Sequence, residues 1–180
     1  GDHGMNDKSR EDGTPNVVFL EDELNARFGE GAVRVICPIT DPFVRHHGAL
    51  GSFVRVYRKN ATGLDVLMQA TRSLPGVELV LDGPGAAERF ELPLDREADY
   101  VAISRRDAVI GATRAEHIVE FGTRLRSHGG ISEQAVPLIV SRPLNMKYLH
   151  IAESRRLRNF DIFELALNGA ESPAPLAVNK

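Results

Sequence analysis

The 180-residue chain has one cysteine, Cys37, no tryptophan and only three tyrosines. A single thiol cannot close an internal disulfide, which excludes a self-cross-linked secreted scaffold and fits a reducing, cytoplasmic setting. No apolar run approaches the roughly 20 residues of a membrane span, so no membrane partner is expected. Charge of one sign is also scarce. With 22 Lys and Arg against 25 Asp and Glu, a net charge of -3 gives no pull toward nucleic acid. The lack of Trp leaves no obvious aromatic pair for stacking a nucleobase. What remains, 42% apolar and 26% charged residues, describes an ordinary globular protein with room for one sizeable core, or for one domain and part of another.

Residues 4–16 are polar and rich in turn formers, and read as a loop that a protease would cut early. "LEDELNARF" puts Leu20, Leu24 and Phe28 on one helical stripe that Gly29 and Gly31 end. Two alternating strands follow, "GAVRVICPI" and "FVRVYRK", with a loop carrying Arg45, His46 and His47 between them. A capping box of Thr62 and Asp65 opens a helix with Leu64, Leu67, Met68, Thr71 and Leu74 at helical spacing. "VELVLD" and "YVAIS" read as further strands. Residues 15–115 therefore read as a compact α+β unit. Beyond it, "VPLIV" at 136–140 has the continuous apolar character of a strand covered on both faces. "FDIFELALN" reads as a last helix, with Asn159 as its N-cap and Gly169 beyond its end.

Two short stretches carry the chemistry. "DHG" at 2–4 and "HGG" at 128–130 both set a histidine directly before glycine, in loops. Such a turn lets a side chain project while the backbone stays clear of it. Asp and His are ligands of divalent cations such as zinc or manganese. Three such ligands cannot complete two metal sites, but can contribute to each. Weighed singly, each triplet is more often a surface feature than a ligand. Their joint context, "DHGM" with "HGGISEQAVPLIV" around a small α+β unit, is what raises the signal.

That context resembles the alkaline phosphatase superfamily and, within it, the phosphonoacetate hydrolases. "GDHGMNDK" is similar to the family's first metal motif and "SHGGISEQAVPLIV" to its late one. "PITDPFVRHHGALGSFVRVY" and "LRNFDIFELALNGA" extend the likeness over nearly the whole chain. The resemblance implies an α/β fold: the C-terminal part of an alkaline-phosphatase-like core with an inserted α+β cap. Residues 1–14 and 116–180 would belong to the core and 15–115 to the cap. It also implies zinc-dependent hydrolysis of the carbon–phosphorus bond of phosphonoacetate, giving acetate and phosphate. A phosphodiesterase or nucleotide pyrophosphatase of the same superfamily, and a non-catalytic cap or binding module, are the alternatives.

By the same resemblance, Asp2 and His3 would serve one ion of a two-zinc centre and His128 the other, with manganese or iron as alternative metals. The nucleophilic threonine, the remaining ligands and most substrate-binding cations would lie upstream of Gly1. This chain alone is therefore expected to be inactive. Arg45 and His47 are candidates for holding the substrate carboxylate, and a small phosphonate is the expected partner, with a homodimer left open. Glu133 and Gln134 are candidates for steadying His128, as outer groups steady metal ligands. Arg124, Arg126 and the "RRLR" of 155–158 read as solvated faces, His117 and His150 as structural or exposed, and Cys37 as core.

Overall fold

A computed structural model describes residues 1–38, 50–117 and 124–169. In chain order they form β1 (Asn6–Asp7), β2 (Val17–Phe19), α1 (Leu20–Phe28), β3 (Val33–Ile36), β4 (Phe53–Arg58), α2 (Leu64–Arg72), β5 (Val77–Asp82) and α3 (Gly83–Phe90). There follow β6 (Tyr100–Ser104), β7 (Val109–Gly111), β8 (Arg126–Ser127), α4 (Met146–Ser154) and α5 (Asp161–Glu164). They fall into two compact units, His3–Ala135, and Gly1–Asp2 with Val136–Lys180.

The larger unit is organised by a four-stranded antiparallel sheet in the order β3-β4-β6-β5. Its central strand β4 alternates: Val54 and Val56 are fully buried while Phe53, Arg55 and Tyr57 are half-buried on the opposite face. Leu20 and Leu24 of α1, and Leu67, Met68 and Ala70 of α2, pack with Val33, Val35, Val54, Val56, Tyr100 and Ala102 into one core. Each large side chain buried there contributes about 1.5–3 kcal/mol. Tyr100 brings a hydroxyl into this core, and Thr71 Oγ1 meets it at 2.9 Å, so neither polar group is left unsatisfied. All five residues of β6 are buried, which explains its unbroken apolar character. Parallel β2 and β7 pair separately.

Several local expectations give way to tertiary structure. Thr62 does not cap α2. Its N–H donates to Asn60 Oδ1 at 2.9 Å, which places Thr62 in an Asx turn and shifts the N-cap to Gly63. The Asp82 carboxylate caps α3, a helix hidden in "DGPGAAERF", by accepting from the Gly85 N–H at 2.9 Å. Residues 4–16 are not a free loop: β1 pairs with β8, and Lys8 is completely buried.

In the smaller unit, α4 starts at Asn145, whose Oδ1 accepts from Tyr148 N–H while its own N–H donates to Gly169 O at 2.8 Å. Phe160, not Asn159, is the residue before α5, and the Asp161 carboxylate there accepts from Arg158 N–H and from Arg155. Gly169 ends a π turn, Leu165–Gly169, that continues α5, rather than standing beyond the helix. Residues 136–140 are not a strand. Ile139 is 86% exposed, because no strand among the described residues runs beside this stretch to pair its backbone and cover its faces. Among the described residues no helix is long and apolar enough to cross a membrane.

Leu67→Ala removes a side chain from the centre of the sheet–helix core and is expected to lower stability by about 2–5 kcal/mol in urea unfolding. Leu94→Ala, at a side chain 59% exposed, is expected to change it by less than about 0.5 kcal/mol.

Candidate metal centre

Two chain segments more than a hundred residues apart are fastened side by side. Asn6 and Asp7 pair with Ser127 and Arg126 in antiparallel register, and Lys8 N–H donates to Leu125 O at 2.8 Å. Gly4 N–H donates to Glu133 O at 2.7 Å, extending the seam past the strands. The exposed edge is closed by Arg124, whose Nε meets Asp7 Oδ2 at 2.6 Å.

Beneath this seam lies a buried ion pair. Lys8 Nζ stands 3.2 Å from Glu133 Oε1, with side-chain exposures of 0% and 1%. Lys8 also donates to Ser52 Oγ at 2.9 Å, and Ser52 N–H donates to His128 O at 2.9 Å. Glu133 accepts from Ser132 Oγ at 2.6 Å, from Asn6 Nδ2 and from Gly130 N–H at 2.7 Å. Burial alone would raise the Glu133 carboxyl, but the hydrogen bonds from Ser132, Asn6 and Gly130 and the Lys8 charge outweigh it and hold it below its usual 4.5.

The glycines of "HGG" have separate reasons. Gly129 adopts φ +102°, a left-handed backbone that disfavours a side chain. At Gly130 a Cβ would come within 2.9 Å of Glu133 Oε2 and 3.0 Å of Ser52 Cβ. Glycine there lets the loop close onto the ion pair.

The outcome is that His3 and His128 stack, with ring centroids 3.8 Å apart and planes inclined by 17°. His3 Nδ1 lies 2.9 Å from Gly4 O, a pure acceptor. A carbonyl partner at one ring nitrogen orients the ring, as outer groups orient metal-binding imidazoles. Two imidazoles brought side by side from distant loops are donors of the kind that divalent cations take. The donor set thus fits, although among the described residues no three His, Cys, Asp or Glu side chains gather as a complete metal site.

The other candidates are placed as follows. Asp2 lies in the smaller unit. Arg45, His46 and His47 fall outside the described residues. Glu133 is buried in the ion pair, whereas Gln134 is exposed and lines a cleft of about 320 Å³ with Phe53, Arg55, Phe90, Ile103 and Gly129. His117 is structural, its Nε2 accepting from Ala112 N–H at 2.9 Å. Cys37 packs against the core, and burial pushes its thiol up to about 11, so it is not a ready nucleophile. Lys8, Asn6 and Ser52 went unnoticed in the sequence. Lys8 does stand inside the quoted motif "GDHGMNDK", but a lysine in a polar loop gives no sign of burial.

The chain has the mixed helix-and-sheet architecture of the alkaline phosphatase superfamily. Within that class it resembles phosphonoacetate hydrolase in both sequence and structure. The Sinorhizobium meliloti 1021 enzyme, solved with phosphonoacetate and with phosphonoformate, is 42% identical over 94% of this chain, with a TM-score of 0.82 in each case. This chain spans 40% of the length of those structures. Human ectonucleotide pyrophosphatase/phosphodiesterase 5 aligns more distantly, at 17% identity and a TM-score of 0.46, over 72% of this chain and 28% of that one. No protein-family model matches the chain.

Glu133→Gln leaves the Lys8 ammonium buried without its counter-charge and is expected to cost about 3–5 kcal/mol in urea unfolding at pH 7. The depressed Glu133 carboxyl also sets a pH dependence. Its contribution is complete above the usual 4.5 and is lost as pH falls through the lower value of the folded state. Unfolding measured from pH 7 down to pH 3 should show this acid loss in the wild type and less of it in Glu133→Gln.

Proposed function

We propose that this chain is part of a phosphonoacetate hydrolase, in which it supplies Asp2, His3 and His128 to a centre of two zinc ions. The observation that carries this reading is the 42% identity to the Sinorhizobium enzyme over almost the whole chain. The stacking of His3 on His128, from loops more than a hundred residues apart, is in keeping with that reading.

In this proposal Asp2 and His3 hold one ion and His128 the other. Bound there, the pair would activate an oxygen nucleophile and neutralise charge on the transferring phosphoryl group. The Gly4 carbonyl, 2.9 Å from Nδ1, helps to orient the His3 ring toward its ion. Substrate is held beside them, where Arg45 and His47 serve the carboxylate that stabilises the departing carbon. Residues 15–115 act as a cap over the site, and 1–14 and 116–180 as segments of the catalytic core. The threonine nucleophile and the other ligands come from a further stretch of polypeptide, in keeping with the 40% share of the related enzyme that this chain spans. Without them the 180-residue chain holds neither ion fully, since a zinc site needs about three or four protein ligands.

The test is phosphate release from phosphonoacetate with added zinc. A chain of the relatives' length that contains this sequence is expected to turn over, and His3→Ala or His128→Ala is expected to abolish turnover. The 180-residue chain is expected to release no phosphate. Activity of the 180-residue chain that disappears in His128→Ala would overturn the assignment of nucleophile and ligands. Hydrolysis of nucleotide diesters but not of phosphonoacetate by the longer chain would overturn the substrate.

A further inference from the structure

We infer that Glu133 is a positioning residue for the metal centre: paired with Lys8, it sets the face-to-face register of His3 and His128. The inference rests on the reading of these histidines as ligands, and concerns what aligns them.

Lys8 and Glu133 each follow a histidine at the same interval, five residues after His3 and five after His128. Their ion pair therefore ties the two loops together at matched distances from the two rings. Glu133 gathers the loops more thoroughly than one contact would. From the His3 side it receives Lys8 Nζ, Asn6 Nδ2 and, on its carbonyl oxygen, Gly4 N–H. From the His128 side it receives Gly130 N–H and Ser132 Oγ. Ser52 closes the ring of contacts by accepting from Lys8 and donating its N–H to the carbonyl of His128 itself.

These bonds sit where slippage would matter. The β1–β8 ladder is only two residues long on each side, too short to fix register by itself. Side-chain pattern gives little help, because Asn6, Asp7 and Arg126 lie at or near the surface, and only Ser127 is buried. A one-residue shift of the seam would displace one ring from the other by the rise of a strand residue, about 3.3 Å. Such a shift would also pull Lys8 away from Glu133 and leave two buried charges unpaired. The ion pair thus converts ring register into an electrostatic condition.

The rival is a pair that merely stabilises the unit while the rings stack unaided. Proton NMR of the 180-residue chain without metal separates the two. Stacked imidazoles shield each other, so the Cε1 and Cδ2 protons of His3 and His128 should be displaced upfield in the wild type. Glu133→Gln and Lys8→Met should lose that displacement while the amide resonances of β4 and β6 persist. Asn6→Ala, which spares the ion pair, should lose part of it. Leu67→Ala, destabilised in the core, should keep it. Persistence of the displacement in folded Glu133→Gln would overturn the inference. If that variant does not fold, an unchanged displacement in Asn6→Ala overturns it.

Zinc titration then separates this inference from the functional reading. In a chain of the relatives' length, which supplies the remaining ligands, zinc should perturb the same histidine resonances, with affinity lowered about 10–100-fold in Asn6→Ala. Wild-type rings that stack but ignore zinc would overturn the metal reading. A zinc response undiminished in Asn6→Ala would overturn the positioning role.

Discussion

The buried contact between Lys8 and Glu133 is the constraint on which the arrangement of the candidate site depends. Removing two charges from water costs several kcal/mol per ion, and their attraction compensates only when the other polar atoms are also satisfied. Here Ser132, Asn6 and the Gly130 amide satisfy Glu133, and Ser52 satisfies Lys8. The two partners are 125 positions apart. An incomplete approach would leave a buried charge unpaired, so the pair penalises partial closure and favours full closure of the two loops.

The residues between these segments have a core of their own. The sheet β3-β4-β6-β5 and the helices α1 and α2 share a core that owes nothing to either histidine loop. Ser52, just before the central strand β4, links this core to the histidine loops: one atom meets Lys8 and another meets the carbonyl of His128. The same sheet carries Phe53 and Arg55 on the face away from its core, bordering the cleft beside Gly129.

Chemically, the chain brings two imidazoles side by side, with a carbonyl 2.9 Å from Nδ1 of His3. Its likeness to phosphonoacetate hydrolase covers 94% of the chain, the residues between the histidine loops included. The part of the related enzyme that this chain matches thus includes more than the two histidine loops. It includes the scaffold that brings the two motifs together.

By itself the sequence determined most of the larger unit. Alternation in "FVRVYRK" and "VELVLD", the apolar run "YVAIS" and the stripe of Leu20, Leu24 and Phe28 each predict the element observed, because side-chain periodicity is a local property that the core then uses. That the "DHGM" and "HGG" stretches lie side by side was expected through family likeness, and His3 and His128 do stack. What tertiary structure alone decided lies where a residue's environment is set by a distant partner. Nothing local distinguishes the buried Lys8 from a solvated lysine, or Glu133 in the ion pair from a glutamate steadying His128. Thr62 and Asp65 match a capping box, yet Asn60 claims the Thr62 amide first. The apolar 136–140 stretch has the composition of a buried strand but no neighbouring strand among the described residues. Periodicity reports which face a residue occupies, whereas burial of a charge and pairing of an edge depend on what the rest of the chain brings against it.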